Sequence, residues 1–127
     1  MTVTRPALRY HGGKFRLAPW ILQFFPPHAV YVEPYGGGAS VLLRKPRAHT
    51  EVYNDIADEI VNVFRVLRDP VTAAELRRLV ELTPAARVEF RLSYEPSTDP
   101  IEQARRTIVR SFMGFGSGAV FSKHATG

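Results

Sequence analysis

The feature that most constrains the fold is a run of three glycines, Gly36 to Gly38, which lies between two segments of different character. Before it, Ala29 to Glu33 is rich in β-branched and aromatic residues and predicts a short strand. After it, Ser40 to Leu43 begins an apolar helical pattern. In an α/β sheet, a glycine turn between a strand and a helix lets backbone N–H groups approach a ligand without side-chain clash. The pattern therefore predicts a ligand site at the carboxyl end of the first strand.

A second unit of the same kind follows the first. Glu51 to Asp55 predicts another short strand, and Ile56 to Arg68 predicts a helix. The helix carries one apolar stripe at spacing i, i+3, i+4 and i+7, formed by Ile60, Val63, Phe64 and Leu67. Two successive strand–helix units predict neighbouring parallel strands joined by a right-handed crossover. The expected fold class is α/β, the start of a Rossmann-like doubly wound sheet.

Three more helices are expected outside these units. Leu17 to Phe25 precedes two prolines and has an apolar face made of Trp20, Ile21 and Phe24. Val71 to Leu82 and Ile101 to Phe112 have helical patterns, and no convincing strand follows the second unit. The chain is therefore expected to divide into an α/β part, residues 1–70, and a helical segment, residues 71–127.

Composition restricts the function classes. The formal net charge of +5 and pI near 10.0 favour a polyanionic partner, although a basic solvated surface remains an equal alternative. The absence of cysteine excludes disulfides and thiolate zinc sites, and the scattered histidines predict no metal site. No run approaches the ~20 apolar residues that span a bilayer. These features predict a cytoplasmic protein without a membrane partner.

Two common phosphate-binding fingerprints do not fit the glycines. A dinucleotide motif, G-x-G-x-x-G, counted from Gly36 and Gly38 meets Val41 at its third glycine. A P-loop ending at Gly13-Lys14 has Leu8 in place of the first glycine and Phe15 in place of the Ser or Thr that binds magnesium. A nucleotide site of another kind remains, and so does a merely flexible connection.

Asp55 ends the second predicted strand, some twenty residues after the start of the first turn. A carboxylate at that place in a doubly wound sheet accepts hydrogen bonds from the ribose hydroxyls of a bound nucleoside. The alternative is that Asp55 only caps the helix that begins at Ile56.

Three segments together resemble the Dam-type adenine-specific DNA methyltransferases, especially their phage and prophage members. They are Arg9 to Lys14, Val32 to Tyr35 with the following glycines, and Asn54 to Ile56. A fourth segment, Arg106 to Ser117, resembles the start of the region that leads into target recognition. The resemblance covers nearly the whole chain and implies an S-adenosylmethionine methyltransferase sheet followed by a helical segment.

The resemblance also implies roles for individual residues. Tyr10 and Lys14 would contact S-adenosylmethionine, Glu33 would lie near the methionine amino group, and Asp55 would bind the ribose. Pro34, Gly36, Gly37 and Gly38 would form the rest of the cofactor motif. The family usually has Gly-x-Gly in this turn, whereas the ungapped match places Gly37 and Ala39 there, with Gly38 expected to preserve the bend.

The catalytic motif of such enzymes, Asp-Pro-Pro-Tyr, does not occur in the sequence. This motif binds the amine of a flipped-out adenine. Phe25 to His28 lacks its carboxylate and its aromatic residue, and the Asp-Pro pairs at Asp69 and Asp99 are predicted to be turn punctuation. No catalytic residue is therefore assigned. We expect an adenine-N6 methyltransferase chain that stops before its catalytic motif, with its carboxy-terminal part missing; the alternative is a remnant that only binds S-adenosylmethionine or DNA.

The last part of the chain carries four cations, Arg105, Arg106, Arg110 and Lys123, against one carboxylate, Glu102. On the predicted helix, Arg106 and Arg110 are four residues apart and would contact one phosphate strand of double-stranded DNA, while Ile108 and Phe112 would face the core. Arg9 is the third predicted DNA contact. The alternative is a solvated basic face. Phe115 and Phe121 are expected to be buried.

Overall fold

The computed structural model describes residues 2–114. A small parallel sheet and six helices follow one another along the chain. They are α1 (Ala18–Leu22), β1 (Val30–Glu33), α2 (Ser40–Arg44), β2 (Thr50–Tyr53), α3 (Asp58–Arg68), α4 (Pro70–Glu81), α5 (Arg87–Leu92) and α6 (Pro100–Met113).

The two strands pair in parallel, with Val30 opposite Thr50 and Glu33 opposite Tyr53. This register brings the carboxyl ends of β1 and β2 side by side, so the glycine turn after β1 and the Asn54-Asp55 segment after β2 are neighbours. The two predicted strand–helix units are confirmed. Within residues 2–114 the sheet has only these two strands, so the mixed fold is consistent with a methyltransferase domain, but it is smaller than a full Rossmann sheet.

The hydrophobic core lies among the helices after β2. One cluster joins α3, α4 and α6 through Val63, Val66, Leu76 and Ala104. A second cluster places Leu8 against Ile60, with Tyr10, Tyr53 and Ile108 packed around them. Ile108 contacts both clusters. Helix α6 therefore packs against the helical core and also against the amino-terminal segment that leads into Tyr10.

Both Asp-Pro pairs begin helices, as expected for punctuation between segments. Asp69 accepts hydrogen bonds from the backbone N–H groups of Val71 and Thr72, and Asp99 accepts one from Ile101. Each is followed by a proline at the first helical position, where a missing N–H costs nothing. These carboxylates satisfy helix termini, and neither contributes to a catalytic motif.

Three aromatic side chains expected in the core are exposed. Trp20 and Phe24 pack edge to face on each other but are 60% and 66% exposed, and Phe112 is 47% exposed. The face of the sheet formed by Val30, Val32 and Val52 is also largely exposed. Within residues 2–114 no layer covers these apolar faces. In the predicted buried stripe of α3, Leu67 is 43% exposed, and Val66 is buried instead.

Helix α5 was not predicted. It has only six residues and lacks a side-chain cap, so it has no strong start signal. None of the helices in residues 2–114 is long and apolar enough to cross a membrane. The same residues contain no group of three or more His, Asp or Glu side chains that could hold a metal ion.

Candidate functional site

A cavity of about 390 Å³ opens at the carboxyl ends of the two strands. Its wall combines the loop before α1 with the glycine turn after β1 and the start of α2. Six of the residues predicted to bind the cofactor line it: Tyr10, Lys14, Glu33, Gly36, Gly37 and Gly38. Segments separated in sequence by some twenty residues thus meet where ligands bind in open α/β sheets.

The glycine turn is held in place by residues from the end of β2. The Gly36 N–H donates to the Asn54 carbonyl oxygen over 2.8 Å, and the Gly37 N–H donates to Asp55 Oδ2 over 2.9 Å. The Tyr53 hydroxyl donates to the Gly37 carbonyl oxygen over 2.6 Å. The N–H and the carbonyl oxygen of Gly37 are therefore both held by side chains of the second strand–helix unit, those of Asp55 and Tyr53.

Glycine is required in this turn for two reasons. Gly37 has φ of +51°, and a Cβ placed on it would lie 2.7 Å from the Tyr10 ring. A Cβ on Gly36 would overlap the Tyr53 ring. The turn is thus packed so closely between the rings of Tyr10 and Tyr53 that neither glycine leaves room for a side chain.

Ala39 occupies the place where the family usually has the second glycine of Gly-x-Gly, and the backbone angles show how the turn accommodates it. Positive φ occurs at Gly37 and at Ala39, where φ is +52°, whereas Gly38 does not adopt it. The positive φ expected of a second glycine is therefore taken by Ala39 and not by Gly38. Ala39 itself takes the left-handed conformation, which costs an L-residue roughly 1–2 kcal/mol.

Glu33 connects the turn to helix α2. Its Oε1 accepts hydrogen bonds from the Tyr31 hydroxyl, over 2.7 Å, and from the Leu42 N–H, over 2.8 Å. Its Oε2 lies 3.2 Å from the position that a Cβ on Gly36 would occupy, beside the cavity. One carboxylate oxygen thus holds the fold, while the other lies at the cavity wall.

Lys14 also lines the cavity; it is exposed, and its Nζ donates to the carbonyl oxygen of Gly12. The cavity therefore has a carboxylate from β1 and an ammonium group from the loop before α1. This pair of charges complements an amino acid end group, which carries one ammonium and one carboxylate.

Two predicted cofactor residues, Pro34 and Asp55, lie behind the cavity wall. The Pro34 carbonyl oxygen accepts from Asn54 Nδ2 over 3.0 Å. Asp55 accepts from Gly37 through Oδ2 and from Ala57 through Oδ1. Asp55 is not the cap of α3, because Ala57 holds that position without a side-chain bond. Asp55 instead turns the chain ahead of the helix and fixes the glycine turn across the site, and its contact with a ribose stays a prediction.

The tyrosines around the turn remain protonated at physiological pH. Burial, followed by the charge of Asp55, raises the pKa of Tyr10, and the same two causes in that order raise the pKa of Tyr53 strongly. The Tyr53 hydroxyl is therefore a stable donor to Gly37.

Five residues that line the cavity were not named individually as cofactor contacts: His11, Gly12, Tyr35, Ser40 and Val41. His11 and Gly12 lie inside the Arg9 to Lys14 motif, so the motif itself was the signal. Tyr35 is 90% exposed and directly follows the predicted Pro34.

The three predicted DNA contacts differ in position. Arg9 is exposed, one residue before Tyr10. Arg110 is only 5% exposed and is ion-paired with Glu59, and the side chain of Arg106 is 15% exposed and bonds to Glu102 and to the Glu95 carbonyl oxygen. These positions contradict an exposed phosphate-binding face formed by Arg106 and Arg110. The helix uses these cations to hold neighbouring segments, because a buried guanidinium needs hydrogen-bonded carboxylates. Phe115, Phe121 and Lys123 lie outside the described residues.

The fold and the cavity define an α/β protein with a pocket at the carboxyl ends of its strands. Comparison with known families gives a match over residues 10–108 to the D12 class N6 adenine-specific DNA methyltransferases, and the chain belongs to this family. The resemblance to Dam-type enzymes is thereby confirmed. The family consists of enzymes that methylate adenine in DNA and generally use S-adenosylmethionine. A comparison with curated proteins gave no match.

Proposed function

We propose that this chain provides the S-adenosylmethionine-binding part of a site-specific DNA adenine-N6 methyltransferase that acts on double-stranded DNA. The observation that carries the proposal is the convergence of Tyr10, Lys14, Glu33 and the glycine turn on one cavity. A volume of about 390 Å³ falls within the range of small-molecule sites. In this assignment residues 1–70 form the start of a Rossmann-like cofactor domain, and residues 71–127 lead into target recognition.

The polar groups of the cavity match the methionine end of the cofactor. Glu33 Oε2 would accept from its ammonium group, and Lys14 would pair with its carboxylate. The glycine turn admits the ligand close to the backbone, and Asp55 keeps that backbone in place. The bound cofactor supplies an activated methyl group, and the residues of this chain bind and orient it.

A second candidate function is binding without catalysis. It is favoured by the sequence, which contains no Asp-Pro-Pro-Tyr motif in its 127 residues. Without that motif no group on this chain is assigned to hold the adenine amine or to stabilise the charge that develops on its nitrogen. Loss of one such group costs about 10²–10³ in rate. Incubation with tritiated S-adenosylmethionine and mixed-sequence DNA separates the two candidates, because incorporation above a no-enzyme control requires a catalytic group on this chain.

Calorimetric titration with S-adenosylmethionine tests the site. Glu33→Gln keeps an Oε1 acceptor for Tyr31 and Leu42 but replaces Oε2 with an amide, so it should weaken binding roughly tenfold while preserving the fold. Glu81→Gln is the matched control, since Glu81 lies on the exposed surface of α4. No binding by the unmodified chain, or equal binding by Glu33→Gln, would overturn the proposal.

A further inference from the structure

The hydroxyl of Ser111, on α6, bonds to both backbone groups of a residue 102 positions earlier in the chain. The Arg9 N–H donates to Ser111 Oγ over 2.7 Å, and Ser111 Oγ donates to the Arg9 carbonyl oxygen over 3.1 Å. Ser111 is completely buried. A hydroxyl can both accept and donate a hydrogen bond. The Ser111 side chain therefore satisfies both backbone polar groups of Arg9, as a paired strand does in a sheet.

The residues on either side of Arg9 show why this contact matters for the site. Leu8 is buried against Ile60, and Tyr10 packs on the same cluster while lining the cavity. The Tyr10 ring lies against Gly37, and the Tyr10 carbonyl oxygen accepts from the Gly13 N–H over 2.9 Å. The backbone of Arg9 is therefore fixed to the helical core directly before Tyr10, whose ring lies in the cavity wall.

Within residues 71–114, the two other buried hydroxyls, those of Thr107 and Ser93, do not make contacts of this kind. Thr107 Oγ1 donates to the Gln103 carbonyl oxygen on its own helix, and Ser93 Oγ donates to the Phe90 carbonyl oxygen on α5. Such local bonds are the usual arrangement for Ser and Thr in helices. Ser111 instead bonds across the fold to the loop that carries Tyr10.

We propose that Ser111 is a positioning residue for the cofactor pocket: its hydroxyl fixes the Arg9 backbone and thereby sets Tyr10 against the glycine turn. The inference rests on the proposed function, because it assigns to Ser111 an effect on S-adenosylmethionine binding. It also links α6, in the segment after the cofactor motifs, to the geometry of the methyl-donor site.

The test compares S-adenosylmethionine affinity, measured by calorimetry, in the unmodified chain and in Ser111→Ala, Ser111→Thr and Ser93→Ala. Ser93→Ala is the matched control, since it removes a hydroxyl that is as well buried but bonds locally, to the Phe90 carbonyl oxygen of the preceding α5. All measurements are made at a temperature where circular dichroism shows each variant folded. Ser111→Ala should bind roughly tenfold more weakly, Ser111→Thr should retain most of the affinity, and Ser93→Ala should bind like the unmodified chain whatever its melting temperature.

Amide hydrogen exchange supplies a second readout that a general loss of stability would not reproduce. The Arg9 amide should lose protection in Ser111→Ala but keep it in Ser93→Ala. If Ser111→Ala does not fold, Ser111→Cys, which keeps the volume and weakens both hydrogen bonds, replaces it with the same expectations. Equal affinity in Ser111→Ala and the unmodified chain would overturn this inference alone, and so would an equal loss in Ser93→Ala. Absence of binding by the unmodified chain would overturn the proposed function and this inference with it.

Discussion

Replacing Asp55 by Ala should weaken S-adenosylmethionine binding more than it destabilises the fold. The carboxylate accepts from Gly37 through Oδ2 and from Ala57 through Oδ1, each over 2.9 Å. The Ala57 bond precedes α3, whereas the Gly37 bond orients a peptide of the cavity wall. The substitution therefore releases the turn on the side that faces the proposed ligand site.

The expected size follows from these two bonds. A hydrogen bond to a charged group contributes about 1.5–3 kcal/mol, and partial exposure of Asp55 lets water replace part of each. We expect a loss of about 1–2 kcal/mol in free energy of unfolding. Release of Gly37, which forms part of the cavity wall, should cost about 1.5–3 kcal/mol of binding, roughly 10- to 150-fold in dissociation constant.

Calorimetry with S-adenosylmethionine and urea unfolding measure the two effects separately. Asp58→Ala is the matched control, because Asp58 lies in the first turn of α3 and favours the helix dipole without contacting the glycine turn. An Asp55→Ala variant with unchanged affinity would refute the reasoning. So would an equal loss of affinity in Asp58→Ala.

Three further predictions concern the arginines. Arg110→Leu should lower the free energy of unfolding by about 1–3 kcal/mol in urea titrations. The loss is smaller than for a fully buried pair because Glu59 is 45% exposed and can be hydrated. An unchanged midpoint would contradict a stabilising role for this ion pair. Hydrogen bonding from Arg105, then from Arg106, holds the pKa of Glu102 at about 2 against an ordinary 4.5, so this contribution to stability is complete above pH 4.5 and is lost as pH falls through 2. Glu102→Gln should therefore flatten the acid dependence of unfolding in that window, and an identical pH profile would argue against it. Any DNA binding should be independent of sequence and strongly salt-dependent. In fluorescence anisotropy, Arg9→Ala should reduce the slope of log affinity against log salt by about one, whereas Arg110→Leu should leave the slope unchanged. The opposite ranking would place the phosphate contacts on α6.

The sequence was sufficient to predict the elements whose signals are local. The strands that end at Glu33 and Tyr53 have β-branched and aromatic runs closed by turn residues, and α4 and α6 begin at Asp-Pro pairs. Helix α5 was missed because its six residues carry no comparable start signal. Periodicity also shows which face of a segment is apolar without showing what covers it, so Trp20 was assigned to a core in which it does not lie.

The sequence was sufficient to predict which segments meet at the site, but not the side-chain hydrogen bonds that join them. Parallel strands place their carboxyl ends at one sheet edge, so the glycine turn and Asp55 had to be neighbours. The bond from Tyr53 to Gly37 and the bonds from Ser111 to Arg9 join residues 16 and 102 positions apart. Side-chain bonds of this kind leave no local pattern in a single sequence, because either partner alone is an ordinary polar residue.

The ion pairs within the fold restrict which arginines are available for contact with DNA phosphates. The chain has a formal net charge of +5, yet the cations of α6 are occupied: Arg105 pairs with Glu89 and Glu102, Arg106 with Glu102, and Arg110 with Glu59. Using them for phosphate contact would require breaking pairs in which the guanidinium groups are already desolvated. Arg9 is exposed and directly precedes Tyr10 in the cavity wall. A phosphate contact at Arg9 would bring the DNA backbone to the rim of the proposed methyl-donor site, which is where transfer to a flipped adenine would require it.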